Sequence, residues 1–300
     1  MIIKERTKSV TTHVMESLYC RGRLDEKRQK EYRNAIKGLE GERRFDEVVA
    51  STVTNGYVLN DLMLKDGTSL SQIDSLIVTE NSVHIFEIKN YTGEYTYKEE
   101  EMHSPYGFII PSPTTQITNS RSLVHNIMRK TRLKLPIEAH VVFVNPAFYL
   151  YDLPINKPFI FNYQLEKHLR GLNRGEVNTT HKQEKIVQHL LNHHVENYRP
   201  NDLPKYILEE LKKGVHCPEC LSFNHTVKRL YKLCDCGHKE EITEAIERSV
   251  REFQILFPEK RMTVSALYDW CGGTINRKKI LEHLKRNYRM NGTSRGIYYN

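Results

Sequence analysis

Two short β-like runs constrain the fold of this chain more than any other feature. The first is Ser71-Gln72-Ile73-Asp74-Ser75-Leu76-Ile77-Val78 and the second is Ser82-Val83-His84-Ile85-Phe86-Glu87-Ile88-Lys89-Asn90. Both alternate apolar and polar residues, which is the period of a strand. In the second run Val83, Ile85, Glu87 and Lys89 share one parity, while Phe86 and Ile88 share the other. Glu87 and Lys89 therefore leave the same side of the sheet. A two-residue turn at Glu80-Asn81 would join the runs as a hairpin and bring Asp74 close to Glu87, thirteen residues later. Two carboxylates and a lysine converging at a sheet suit a divalent-metal phosphodiester site. The carboxylates hold a hard cation, and the lysine offsets charge on the phosphate. Taken singly, a Glu-x-Lys tripeptide reads as exposed ions on a strand. The elements around it, in their order, change that reading.

Residues 25–53 read as a long helix, with apolar or aromatic residues at Tyr32, Ala35, Ile36, Leu39, Phe45, Val48 and Val49. Glu42 lies three residues from both Leu39 and Phe45, on the core-facing side. A carboxylate there is costly unless paired or metal-bound; the alternative is an exposed helix edge that Glu42 caps. Downstream, Ser112-Pro113-Thr114-Thr115-Gln116 open another helix, with Ile117, Val124, Ile127 and Leu135 following. Serine fits the cap and proline the first turn, and Gln116 belongs to that turn. Glu138-Ala139-His140-Val141-Val142-Phe143-Val144 reads as a buried strand. The order is helix, three strands, helix, strand.

Gly38-Leu39-Glu40-Gly41-Glu42, Gln72-Ile73-Asp74, Glu87-Ile88-Lys89-Asn90 and Pro113-Thr114-Thr115-Gln116 together resemble the nuclease-related domain (NERD) family, over roughly residues 36–150. That family belongs to the PD-(D/E)xK restriction-endonuclease-like superfamily. The resemblance implies an α/β fold, a mixed sheet flanked by helices. It implies that Asp74 and Glu87, with the Ile88 carbonyl, hold Mg²⁺ or Mn²⁺. It makes Lys89 the catalytic lysine, Glu42 the helix-borne acid and Gln116 the accessory helix residue. Ile73 stands where the superfamily's name has proline. Lys98-Glu99-Glu100-Glu101-Met102-His103 is an acidic stretch where nucleic acid would approach. The family is named for a likeness to nucleases, so cleavage is implied by the resemblance and not by the spacing.

At 300 residues the chain has room for two or three domains. Lys and Arg number 45 against 37 Asp and Glu, a formal net charge of +8, which suits a polyanionic partner. No run approaches the ~20 apolar residues of a membrane span, and Met1-Ile2-Ile3-Lys4-Glu5-Arg6 lacks an apolar signal core. A cytoplasmic chain, where disulfides are disfavoured, is the expectation. Four of the six cysteines then make sense as a metal site. Cys217-Pro218-Glu219-Cys220 is followed, after thirteen residues, by Cys234-Asp235-Cys236 and then Gly237. Paired knuckles of this kind fit a small structural zinc ribbon. The second knuckle is tighter than the usual Cys-x-x-Cys, and His216, His225 and His238 stand by as substitutes. Four protein ligands leave no open position for a substrate.

Residues 163–196 read as helical, Arg199-Pro200-Asn201-Asp202-Leu203-Pro204 as a linker, and Lys205 to Lys213 as a short helix. Ile242 to Phe257 reads as a helix ended by Pro258. Thr263 caps a second over Val264 to Trp270, and Gly272-Gly273 turns into a third over Asn276 to Asn287. Residues 288–299 read as a hairpin. Helix, glycine turn, basic helix and hairpin resemble a winged helix-turn-helix. From Cys271 to Asn300 seven cations (Arg277, Lys278, Lys279, Lys285, Arg286, Arg289, Arg295) face one acid, Glu282. They are the candidate nucleic-acid contacts; a solvated basic face or a protein partner is the alternative. The domain boundaries read as an extension (1–30), a nuclease-like domain (31–165), a helical region and linker (166–213), a zinc ribbon (214–240) and a winged-helix-like module (241–300).

Two function classes follow. One is a Mg²⁺-dependent endonuclease that hydrolyses DNA and grips it with its C-terminal modules. The other is a non-catalytic nucleic-acid-binding or regulatory protein with a nuclease-like domain. Joint retention of Asp74, Glu87 and Lys89 favours the first. Nothing in the sequence sets the oligomeric state, so a homo-oligomer stays open.

Overall fold

The computed structural model describes residues 1–131, 133–173, 181–293 and 296–300, which form two compact units. One contains Met1–Lys8 and Asn34–Tyr198, the other Ser9–Arg33 and Arg199–Asn300. The first thirty residues, read as an extension, are thus divided between both. The chain opens with β1 (Ile2–Lys4), α1 (Val10–Cys20) and the long α2 (Glu26–Thr52). β2 (Tyr57–Asp66), β3 (Ser69–Val78) and β4 (Val83–Lys89) follow, then β5 (Gly93–Lys98), β6 (Glu101–His103) and β7 (Ile109–Pro111). After them come α3 (Thr114–Arg129), β8 (Ile137–Phe143), β9 (Phe148–Tyr151), β10 (Phe159–Phe161), α4 (Asn162–Arg170) and α5 (His181–Leu191).

The first unit is mixed α/β. Six strands lie in the order β1-β2-β3-β4-β8-β10, and β7-β6-β5-β9 form a second sheet. β2, β3 and β4 are an antiparallel meander, and β8 joins β4 in parallel, as a strand after a crossover helix must. The tight β3–β4 turn has Glu80-Asn81 at its tip, with the Thr79 N–H donating to the Ser82 carbonyl at 2.9 Å. The parity read from the sequence holds on β4. Val83 and Ile85 enter one core with α3 and α5, through Ile117, Val124, Ile127, Ile186 and Leu190. Phe86 and Ile88 enter the opposite core with Phe45 and Val49 of α2 and Leu165 and Leu169 of α4. The stripe on α2 is less continuous than its apolar residues suggest. Tyr32 is buried in the second unit and Phe45 and Val49 in the first, but Ala35 between them is exposed.

Three expectations need correction. The β5–β7 strands and β9 were not foreseen; the acidic stretch runs from the end of β5 through a turn at Glu99 and Glu100, with φ of 51° and 61°, into β6. The 163–196 helix breaks at Gly171, and His194 instead pairs with Leu64, using the part of β2 that the short β1 leaves uncovered. Lys205 to Lys213 holds only a 3₁₀ turn at Leu208–Glu210. Leu211 is buried in extended conformation there, which a continued helix would not allow.

In the second unit, β11 (His225–Val227), β12 (Tyr231–Cys234) and β13 (Lys239–Glu241) form a three-stranded antiparallel sheet. α6 (Ile242–Leu256), α7 (Val264–Trp270) and α8 (Arg277–Asn287) follow, then the hairpin of β14 (Met290–Asn291) and β15 (Tyr298–Tyr299). Thr263 caps α7 by accepting from the Ala266 N–H at 3.1 Å, and Asn276 caps α8 through the Lys278 N–H at 2.8 Å. Val250 and Phe253 of α6, Trp270, Ile280 and Leu284 are buried, as are Val14 and Leu18 of α1. The four sulfurs of Cys217, Cys220, Cys234 and Cys236 lie within 4.8 Å of one another. The Cys217–Cys236 and Cys220–Cys234 separations are 3.7 and 3.5 Å. Tetrahedral zinc at ~2.3 Å from each sulfur spaces them ~3.8 Å apart, so the cluster is compatible with a zinc ribbon. Among the described residues, no helix is long and apolar enough to cross a membrane.

Candidate active site

The site is built where the β2–β3–β4 meander loses its regularity. On β2 the residues facing the α3 core change from Tyr57 and Leu59 to Leu62 and Leu64; on β3 they change from Leu76 and Val78 to Ile73. Both parities flip at the facing positions Asp61 and Asp74, between the pairs Asn60↔Ser75 and Leu62↔Ile73. Asp61 sits there with φ of 53°, a left-handed conformation that aspartate tolerates better than most residues. This distortion turns two carboxylates toward the end of β4.

Asp74 and Glu87 are buried, at 7% and 2% exposure. Asp74 Oδ2 accepts the Ile88 N–H at 2.8 Å. The N–H and C=O of one strand residue leave on the same edge, so the Ile88 carbonyl also points to the Asp74 side. Lys89 Nζ donates to Glu87 Oε1 at 2.6 Å and to Gln116 Oε1 at 3.1 Å. Gln116 reaches it from the exposed first turn of α3. Pro113, not Ser112, takes the cap position of that helix, with no side-chain cap bond; the Ser112 hydroxyl accepts the Thr114 N–H at 3.4 Å.

Glu42 approaches from α2 and is placed by Gly41. A Cβ on Gly41 would stand 2.5 Å from the Asn90 Cβ and 3.2 Å from a Val144 methyl. The helix can therefore lie against the residue after Lys89 only because Gly41 has no side chain, whereas Gly38 meets nothing within 4 Å. Gly41→Ala should cost about 1–3 kcal/mol through overpacking, read as a lower midpoint in denaturant melts. Gly38→Ala should be neutral or slightly stabilising in the same melts.

Sequence reasoning missed Arg6, Asp46 and Asp61. The Arg6 guanidinium, on a buried side chain, donates to Glu42 Oε2 at 2.7 Å, to both Asp46 oxygens at 2.7 and 3.0 Å, and to Asp61 Oδ1 at 3.1 Å. Asp46 stands one helical turn from Glu42, so the i, i+4 spacing was a usable signal. Arg6 and Asp61 gave none, because each depends on a backbone path that no local pattern encodes.

The electrostatics are those of crowded acids. Burial, then the neighbouring Asp74 charge, push Glu42 up to about 7 and Glu87 up to about 8; Arg6 and Lys89 respectively offset part of this. Burial also raises Asp74. Burial opposes the charge on Lys89, but Glu87 more than compensates, and its value ends above the usual lysine range. Lys89 is therefore an ammonium at neutral pH.

In the second unit Arg277, Lys278, Lys285, Arg286 and Arg289 are exposed. Lys279 is half-buried and donates to the Arg229 carbonyl. Arg295 lies outside the described residues. Of the three histidines near the ribbon, His216 is engaged elsewhere: its Nδ1 lies 3.1 Å from the Cys217 carbonyl and its Nε2 3.3 Å from Arg248.

Residues 37–144 match the family model of the nuclease-related domain, NERD. No curated protein and no solved structure gives a significant match. The matched stretch is just over a third of the chain and contains Glu42, Asp74, Glu87, Lys89 and Gln116. It is a nuclease-like domain, and the resemblance read from its short motifs is borne out.

Proposed function

We propose that the chain is a metal-dependent nuclease that hydrolyses DNA phosphodiester bonds and holds the nucleic acid with its C-terminal modules. The observation that carries this reading is the convergence of Asp74, Glu87 and Lys89 at one end of a sheet, with Gln116 bonded to the lysine. The donor set fits a hard divalent cation. Three acids are held where burial and mutual repulsion penalise their charge, and an oxygen-liganded dication offsets that penalty. Asp74, Glu87 and the Ile88 carbonyl would hold Mg²⁺ or Mn²⁺, which supplies charge stabilisation at the phosphate and acidifies a coordinated water.

The chain's own groups divide the remaining work. Lys89 stays protonated, so it orients the attacking water and neutralises phosphoryl oxygens; the water's proton passes to solvent, and the oxygen that departs as the P–O bond breaks takes a proton from solvent. Gln116 holds the Lys89 ammonium toward the groove, and Glu42 sets the charge behind Asp74. The exposed cations of α8 and the following hairpin grip phosphates, in a winged-helix manner.

A specific observation supports the second, non-catalytic reading. Arg6 and Lys89 already pair with Glu42 and Glu87, so part of the acid cluster is neutralised without a metal. Supercoiled plasmid and single-stranded DNA incubated with the full chain and Mg²⁺ or Mn²⁺ separate the two. The nuclease yields nicked or shortened DNA that a chelator prevents. Intact DNA under every metal condition, with binding retained, supports the regulatory protein.

A pH dependence follows. Glu42 and Glu87 have folded-state values above their unfolded ones, so the native protein holds more protons between the two values. Without metal, the contribution of these two groups to stability should fall as pH rises from about 4.5 toward about 8, while the lowered His84, His140 and His168 act in the opposite sense below about 6.5. Metal binding displaces those protons, so Mn²⁺ should raise the melting temperature more at about pH 8 than at about pH 6. Thermal melts with and without Mn²⁺ at both values check this; an equal rise at both contradicts it.

A further inference from the structure

We propose that His84, Glu138 and His140 form a second metal site in the first unit, one that takes a transition ion of zinc's preferences. The site lies away from the carboxylate cluster. His84 is on the Phe86 side of β4, opposite the side from which Glu87 and Lys89 leave. Register places Glu138 beside His84 and His140 beside Phe86 on the parallel strand β8. α4 brings His168 over the same face, its ring centroid 4.7 Å from that of His140.

Ligand atoms of His84, Glu138 and His140 lie within 4.8 Å of one another. Glu138 Oε2 is 3.6 Å from His84 Nδ1 and 3.7 Å from His140 Nε2. Both separations exceed hydrogen-bond reach, yet they approach the ~3.3 Å between ligand atoms of a tetrahedral zinc with ~2.0–2.1 Å bonds. His84 Nδ1, His140 Nε2 and His168 Nε2 are buried, and none has a hydrogen-bond partner. Two such ring nitrogens, on His84 and His140, beside one carboxylate are an uncompensated desolvation cost that a single cation removes.

The other ring nitrogen of His84 has a partner. His84 Nε2 lies 2.7 Å from the Ser82 hydroxyl. Donation to that oxygen leaves the lone pair on Nδ1, the atom facing Glu138, as an outer hydrogen bond does for a ligating histidine. Burial holds all three imidazoles below the usual histidine range, only partly opposed by Glu138, with His168 down to about 4. They are neutral at neutral pH, which is the form that binds a metal.

Two imidazoles and one carboxylate favour zinc and its neighbours over Mg²⁺, which prefers oxygen throughout. His168, whose buried Nε2 has no hydrogen-bond partner, adds a third imidazole to the same face. The group opens into a cavity of about 780 Å³, lined also by Lys157, Gln164 and Lys167. Access for an ion, and for an anion completing its coordination, is therefore available.

The test is a Zn²⁺ and Co²⁺ titration of the full chain carrying Asp74→Asn, so that the carboxylate cluster cannot supply the ion. Two equivalents should bind. One should show the sulfur-to-cobalt charge-transfer band of the cysteine cluster, and the other should lack it. Glu138→Gln and His140→Gln should each lose the band-free equivalent only, and Cys220→Ser should spare it. Glu138 is exposed, so its variant keeps the fold even if the His140 variant does not. Retention of the band-free equivalent in Glu138→Gln, or its absence in the parent, would overturn the proposal.

Discussion

Lys89→Ala should lower the rate of DNA cleavage by about 10²–10³-fold, the usual cost of removing one preorganised charge donor from a transition state. Lys89 bonds Glu87 and Gln116 and is not a ligand, so the divalent ion should still bind, and saturating metal keeps any change in its affinity out of the rate. The loss arises because Lys89, raised above the usual lysine range by Glu87, is a permanent cation at the end of β4. Alanine removes that charge at the strand end, where the Lys89 side chain is 18% exposed and contacts Glu87 and Gln116. Lys89→Arg should recover only part of the rate, because a planar guanidinium cannot take the ammonium's place between Glu87 and Gln116. Single-turnover cleavage at saturating Mn²⁺ provides the measure. A parental rate in Lys89→Ala would remove the lysine from the mechanism.

Reversing Arg277, Lys278 and Lys285 to Glu should weaken DNA binding by more than about 10²-fold at low salt and reduce the slope of log affinity against log salt by roughly 3. The three are exposed. At ~100° per residue their helix positions span one face of α8. Their present partners are weak: Lys278 lies 4.0 Å from Glu282, and Arg277 stacks 4.3 Å over Tyr268. Both contacts are exposed enough to yield to a phosphate. The measurement belongs on the full chain. Cutting at residue 200 would separate α1, whose Val14 and Leu18 are buried in the second unit, from α6. Unchanged affinity and slope in the triple variant would give this face another role.

The sequence made the central hairpin legible because strand alternation is local. Parity fixes Glu87 and Lys89 on one side of the sheet, a two-residue turn carries Asp74 toward them, and the structure brings the three together. Gln116 followed from a helix start, although the cap residue was displaced by one. Arg6 was invisible, because its role depends on a short strand pairing with residues more than fifty positions away. Asp61 was hidden for a related reason. The parity flip it shares with Asp74 breaks the alternation that a strand reading assumes. The second sheet escaped because its strands are mostly short and join β5 to the distant β9. His84 and His140 sat within recognised strands, yet only the β4–β8 register shows that their unpaired nitrogens face one carboxylate.

The central claim is that Asp74 and Glu87 together hold a catalytic dication. It is tested most directly by counting Mn²⁺ on the zinc-loaded full chain by electron paramagnetic resonance, with Asp74→Asn prepared alongside. One bound Mn²⁺ in the parent and none in the variant is the predicted result. Equal Mn²⁺ occupancy in the two proteins would contradict it.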